Sequence, residues 1–201
     1  MPHRSHIFAP MKKAAFLLLL LAVPALPSFA QTTFSEFGIT LGGTRRTGSN
    51  DNLPAGTSVD GGFSFENSSV EIYYGVELEP GSMFKLKAGR METPVTFEED
   101  VNGVEVQQVY DDGRVEHVSG VVEYRFSEAF GSTSLFGGVG MYRHSADGAG
   151  SSTDYGFSGG INADFPLSRR YGIKVEGTYH WVNSDYRPRY LTVGAGLRVS
   201  F

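Results

Sequence analysis

Cysteine is absent from this 201-residue sequence, so neither a disulfide framework nor a thiolate metal site supports the fold. Long apolar runs are absent beyond residue 30, where nothing approaches the roughly 18 consecutive apolar residues of a membrane helix. A basic excess is missing too, and without one there is no electrostatic footprint for nucleic acid. Helical periodicity is nearly absent after residue 30, so neither a helical bundle nor an alternating α/β chain is expected.

What is present begins with a leader. Residues 11–30 read MKKAAFLLLLLAVPALPSFA. Lys12 and Lys13 precede the ten-residue apolar run Ala14 to Val23, Pro24 breaks it, and Ser28 and Ala30 set small residues before a cleavage point. This is the pattern of a secretory signal peptide, with a core too short to span a bilayer. Cleavage is expected after Ala30, with Met11 a tidier start than Met1. No cysteine follows the apolar run, which excludes a lipoprotein anchor. Residues 1–30 are thus read as leader and 31–201 as one domain. With Arg4, Lys12 and Lys13 removed, 14 basic side chains face 22 acidic ones, a net charge of −8.

The remaining signal is period-two alternation, the mark of strands with two unlike faces. Phe37, Ile39 and Leu41 alternate with Gly38, Thr40 and Gly42; Val70, Ile72, Tyr74, Val76 and Leu78 with Glu71, Tyr73, Gly75 and Glu77. Phe84, Leu86 and Ala88 follow, then Val118, Val122, Tyr124 and Phe126, then Leu135, Val139 and Met141. Tyr155, Phe157, Ile161, Ala163 and Phe165 come next, then Tyr171, Ile173, Val175, Tyr179 and Trp181, and last Leu191, Val193, Ala195, Leu197, Val199 and Phe201. That makes eight strands, most of about ten to thirteen residues, where soluble strands run to about five or six and a tilted membrane strand needs about 9 to 11.

Connections after the even strands are tight: Pro80-Gly81-Ser82, Ser127 to Gly131, Pro166 to Arg169. Those after the odd strands are longer and polar, near 44–68, 93–113, 145–152 and 183–189. Short periplasmic turns and long outer loops alternate this way in outer-membrane barrels. Phe84, Phe126, Phe165, Tyr171 and Phe201 lie by the short turns, and Tyr155, Trp181 and Tyr190 by the long loops, as two interfacial girdles. The predicted fold is all-β: an eight-stranded antiparallel up-and-down transmembrane β-barrel. The loop at 93–113 holds two hairpin signals, Asn102-Gly103 and Asp112-Gly113. It reads either as a ribbon protruding from about Val95 to Tyr110 or as a separate fold-back of 104–110.

If the apolar parity meets lipid, the other parity fills the lumen. It carries Glu71, Glu77, Glu123 and Glu176 against Lys85, Lys87, Arg125, Lys174 and Arg198, among Gly38, Gly42, Gly75, Gly89, Gly156, Gly160, Gly194 and Gly196. An eight-stranded barrel is barely wide enough for its own side chains. A nearly balanced set, with glycines making room, predicts paired charges and a plugged interior. A soluble lipocalin-like barrel would invert this parity, hiding the apolar face.

The stretches FGGVGMYRHS (136–145), DYGFSGGINADFPLSRRYGIKVEGTYHWV (154–182) and YLTVGAGLRVSF (190–201) resemble the small outer-membrane β-barrel family, which includes outer membrane protein X and the transmembrane domain of outer membrane protein A in Gram-negative bacteria. The resemblance covers the mature chain as architecture and its last third as motif. It implies an outer-membrane location, contact with outer-membrane lipids and lipopolysaccharide, and recognition of Phe201 by the barrel assembly machinery. It also implies extracellular loops able to meet a protein or surface ligand. The peptidoglycan-binding domain that follows the barrel in outer membrane protein A has no counterpart here, so that function is not expected.

Other chemistry is thinly supported. A lipid A deacylase would need a Ser beside its His base; His180, Ser184 and Asp185 are the nearest set, and His180 faces inward by parity. His117, His144 and His180 fall near the outer mouth, but strand pairing sets His117 opposite about residue 141, leaves His144 too high, and puts His180 two strands away. Glu98, Glu99, Asp100, Glu105, Asp111 and Asp112 make the second loop acidic, suited to a solvated loop, a divalent cation or a cationic partner. The expectation is a non-enzymatic monomer without cofactor or metal, structural or interactive in role, with a narrow solute channel or lipid A modification as alternatives.

Overall fold

The computed structural model describes residues 34–47, 64–101, 104–127, 132–184 and 188–201. The expected leader therefore lies outside the described residues, as do 48–63 of the first long connection. Ten strands are present among the described residues: β1 Ser35–Thr47, β2 Ser64–Glu79, β3 Ser82–Glu92, β4 Val95–Val101, β5 Val104–Tyr110, β6 Arg114–Ser127, β7 Ser132–Ala146, β8 Gly150–Pro166, β9 Tyr171–Val182 and β10 Arg189–Ser200. Eight close into an antiparallel barrel in the order β1-β10-β9-β8-β7-β6-β3-β2, and β4 and β5 pair as a separate hairpin. No described helix is long and apolar enough to cross a membrane.

The barrel closes where β1 meets β10, from Glu36 opposite Ser200 to Thr47 opposite Arg189. Phe201 completes that seam: its N–H donates to the Ser35 carbonyl at 2.9 Å, and its carbonyl accepts from the Ser35 N–H at 3.0 Å. The Pro80-Gly81 turn is tight because Gly81 takes φ 84°, a conformation open to glycine.

Parity decides which solvent surrounds the molecule. Leu41 is 62% and Leu197 59% exposed, whereas Lys85 and Lys174 are 1% and 0% exposed. A water-soluble barrel would show the reverse, so the outer wall is built for acyl chains. Phe126, Phe165, Tyr171 and Phe201 stand exposed by the short turns, and Tyr155 and Trp181 by the opposite end. Tyr190 departs from its expected place in the outer girdle, since it is buried inside.

One connection differs from the sequence reading, and another takes one of its two alternatives. β7 and β8 continue to Ala146 and Gly150, leaving only the turn 147–149 where a loop over 145–152 was expected. The 93–113 segment takes the ribbon form, with Val95 opposite Tyr110 and Val101 opposite Val104. Its base continues the barrel strands, because the Thr93 N–H donates to the Gly113 carbonyl at 3.0 Å. Alternation alone does not say where the ribbon leans. Here Val95 turns into the mouth and packs with Met91, Val115, Tyr142, Val182 and Tyr190.

Candidate functional site

The lumen holds one chain of alternating charge. Glu71 meets Lys87 at 2.8 Å, and Lys87 also binds Glu176. Glu176 meets Lys174 at 2.8 Å, and Lys174 approaches Glu123 at 3.7 Å. Glu123 binds Lys85 at 2.6 Å, and Lys85 binds Glu36 at 2.7 Å. Glu36 lies 3.8 Å from Arg198, which meets Asp164 at 3.2 Å. Every strand of the barrel but β7 contributes, because strict alternation aims one residue in two at the axis. β7 supplies Phe136, whose ring lies 4.4 Å beneath the Lys87 ammonium.

Neutral groups complete the layer. Asn162 donates to Glu123 at 2.7 Å and Thr178 donates to Glu176 at 2.9 Å. Tyr73 fills the centre, its ring centroid 4.9 Å from the Lys85 ammonium and 4.3 Å from that of Lys174. A cation against an aromatic face recovers part of its lost hydration. Two of the glycines make room for rings: a Cβ on Gly38 would stand 2.4 Å from Tyr73, and one on Gly89 would stand 2.5 Å from the His117 ring.

Of the nine lumen charges named from sequence, Glu71, Lys85, Lys87, Glu123, Lys174, Glu176 and Arg198 come together in this chain. Glu77 and Arg125 share the inward parity but make no ion pair among the described residues, and the Arg125 Nε has no hydrogen-bond partner. Glu36 and Asp164 are the two members sequence reasoning missed. The signal was available: Glu36 shares the parity of Gly38 and Thr40, and Asp164 that of Gly160 and Asn162.

Above the ions lies an imidazole layer. The sequence reading set His180 apart from His117, but their ring centroids are 5.1 Å apart. Counting strands around the wall overstated the separation, because in so narrow a barrel the rings meet across the axis. Tyr142 is the residue opposite His117, and it stacks on that ring at 5.7 Å. Its hydroxyl is 3.1 Å from His180 Nδ1, and His180 Nε2 is 3.4 Å from the Thr192 hydroxyl. A cavity of about 20 Å³ bordered by Thr40, Glu71, His117, Thr178 and His180 has room for about one water molecule. His144 stands apart, 3.1 Å from the Tyr190 hydroxyl. Among the described residues no three His, Asp or Glu side chains are arranged to hold a metal ion.

The apolar cluster around Val95 adjoins this layer through Tyr142. Arg46, buried at the end of β1, donates to the Thr96 hydroxyl at 3.0 Å and the Pro94 carbonyl at 3.4 Å, tying the hairpin to β1. Of the deacylase set, His180 is engaged inward and Ser184 Oγ makes no hydrogen bond to it, while Asp185 lies outside the described residues.

An outer wall that is apolar, a charged interior and eight closed antiparallel strands agree with a family-model match over residues 15–198, to the outer membrane protein beta-barrel domain. The chain belongs to that family. It is an outer-membrane β-barrel protein, as the sequence pattern predicted. The solved structure of Neisserial surface protein A is 16% identical, with a TM-score of 0.60 over 85% of this chain and all of that one. The N-terminal barrel domain of OprF from Pseudomonas aeruginosa is 13% identical, with a TM-score of 0.51 over 83% of this chain and 97% of that one. A major outer membrane protein from Thermus thermophilus is 12% identical, with a TM-score of 0.51 over 83% of this chain and 99% of that one. At these identities the likeness is one of fold. A comparison with curated proteins finds no match.

Proposed function

We propose that this protein is a closed barrel that acts through what it displays outside the membrane, not through what it passes. The observation that carries the reading is the occupied axis. A nine-membered ion chain crosses the lumen, and the Val95 cluster lies over its mouth. Parting these buried ion pairs to open a path along the axis would be costly. The displayed element is the β4–β5 hairpin and its base, which carry six acidic and no basic side chains between Val95 and Gly113. Such a field attracts a cationic protein surface and repels acidic ones.

Conductance in planar bilayers tests the closed lumen. The full-length mature protein should give no reproducible channel, and stable openings of uniform size would overturn the reading. The display role is tested by replacing residues 95–110 with a two-residue turn. Cells carrying that variant should lose adhesion to surfaces coated with a cationic protein while the barrel still inserts; unchanged adhesion would remove the hairpin from the function. Lipid A mass spectra with and without expression address enzymatic modification, and a changed acyl pattern would replace this proposal with a catalytic one.

A further inference from the structure

Charge is distributed unevenly around the outside of the barrel. On the β3, β6 and β7 side, each outward arginine has a carboxylate at hand. Arg90 bonds Glu92, Arg114 lies opposite Glu92, and Arg143 approaches Glu116 at 3.9 Å. On the β9, β10 and β1 side the pattern differs. Arg45 and Arg189 are both exposed, and among the described residues the outward faces of these three strands carry no carboxylate.

Register places the two guanidiniums together. Arg45 is opposite Leu191 and Arg189 is opposite Thr47, so the arginines are diagonal neighbours on one face. Diagonal positions lie roughly 7 to 8 Å apart, within reach of long side chains. Arg189 is also directly opposite Trp181, and its guanidinium carbon sits 5.6 Å over that ring. The indole fixes the depth, since tryptophan settles at the boundary between acyl chains and headgroups. Tyr179, Leu191 and Val193 continue below it as an apolar wall.

We propose that Arg45, Arg189 and Trp181 form a binding site for the phosphate of an outer-leaflet glycolipid of the lipid A class. The inference rests on the membrane orientation adopted above. Two adjacent cations repel, and a phosphate between them turns that repulsion into paired charge-assisted hydrogen bonds. Guanidinium matches phosphate geometry better than ammonium does. The apolar strip beneath receives the acyl chains, which a free anion would leave uncovered.

The test uses the mature protein folded in a nonionic detergent, which contributes no phosphate. Diphosphoryl lipid A is titrated in, with Trp181 emission as readout, since it is the only tryptophan. The native protein should show a saturable shift. R45A/R189A should bind at least about tenfold more weakly, from the loss of bonds to a charged group, R45K/R189K should fall between, and R143A should match the native protein. Dephosphorylated lipid A should bind the native protein as weakly as the diphosphoryl form binds the double alanine variant. Equal affinity of R45A/R189A and native protein overturns the site. Equal affinity of the two lipids overturns the phosphate assignment, and a full shift produced by inorganic phosphate alone overturns the lipid assignment. The heat-modifiable gel shift of each variant reports barrel closure separately, and its absence from the native protein would overturn the barrel reading instead.

Discussion

Replacing Lys85 with methionine should cost far more stability than replacing Lys174 with methionine, though both lysines are fully buried and each touches two glutamates. The difference lies in what each leaves behind. Without Lys85, Glu36 keeps a single cation, Arg198 at 3.8 Å, and Glu123 a single cation, Lys174 at 3.7 Å, beside the Asn162 amide at 2.7 Å. Two buried carboxylates are then nearly uncompensated, and breaking a buried pair from one side costs about 3 to 5 kcal/mol. Without Lys174, Glu123 retains Lys85 at 2.6 Å and Glu176 retains Lys87. The loss then falls to about 1 to 2 kcal/mol, mostly the contact with Tyr73. Equilibrium guanidinium unfolding from lipid vesicles, followed by Trp181 emission, reads both. A triple variant, K85M with Glu36→Gln and Glu123→Gln, removes the stranded charges and leaves Arg198 its contact with Asp164 at 3.2 Å. It should regain about half the loss or more. Equal costs for the two single variants, or a cost below about 1 kcal/mol for K85M, would show that the ion chain does not act as connected pairs.

Val175→Arg places a charge on the lipid-facing wall, where the native side chain is 41% exposed, and should cost about 2 to 4 kcal/mol in the same assay; a neutral effect would invert the assigned faces. Gly38→Ala pushes a methyl into the Tyr73 ring, 2.4 Å away, and should cost about 1 to 3 kcal/mol as overpacking. Combining it with Tyr73→Leu should make the glycine change nearly silent, and persistence of the penalty would trace it to backbone instead. Deleting Phe201 removes both seam hydrogen bonds to Ser35, so the yield of heat-modifiable barrel should fall, and an unchanged yield would confine that residue to a passive interfacial role.

The wall of the barrel was readable because one rule, alternation, sets the direction of every side chain once a strand is placed. The same rule marked seven members of the ion chain, and applied without exception it would have added Glu36 and Asp164. It carries no information about partners. Lys87 bonds Glu176 although 89 residues separate them, because β3 and β9 face each other across a closed ring. The histidines show the same blind spot: a count of strands along the sheet made His117 and His180 remote, while closure brought the rings within 5.1 Å. Contacts around the wall follow from sequence order, whereas contacts across the axis follow from the diameter. The hairpin lies beyond both rules. Val95 and Phe97 have the parity of an ordinary strand, yet the hydrophobic drive to bury them sends the ribbon inward over Tyr142, Val182 and Tyr190, three residues from three other strands. The groups that differ most from the sequence expectation, the imidazole layer and the mouth cluster, are therefore those assembled by closure. The arginine pair on β1 and β10 also depends on closure, since it stands on the seam, but there it follows from register without any cross-lumen contact.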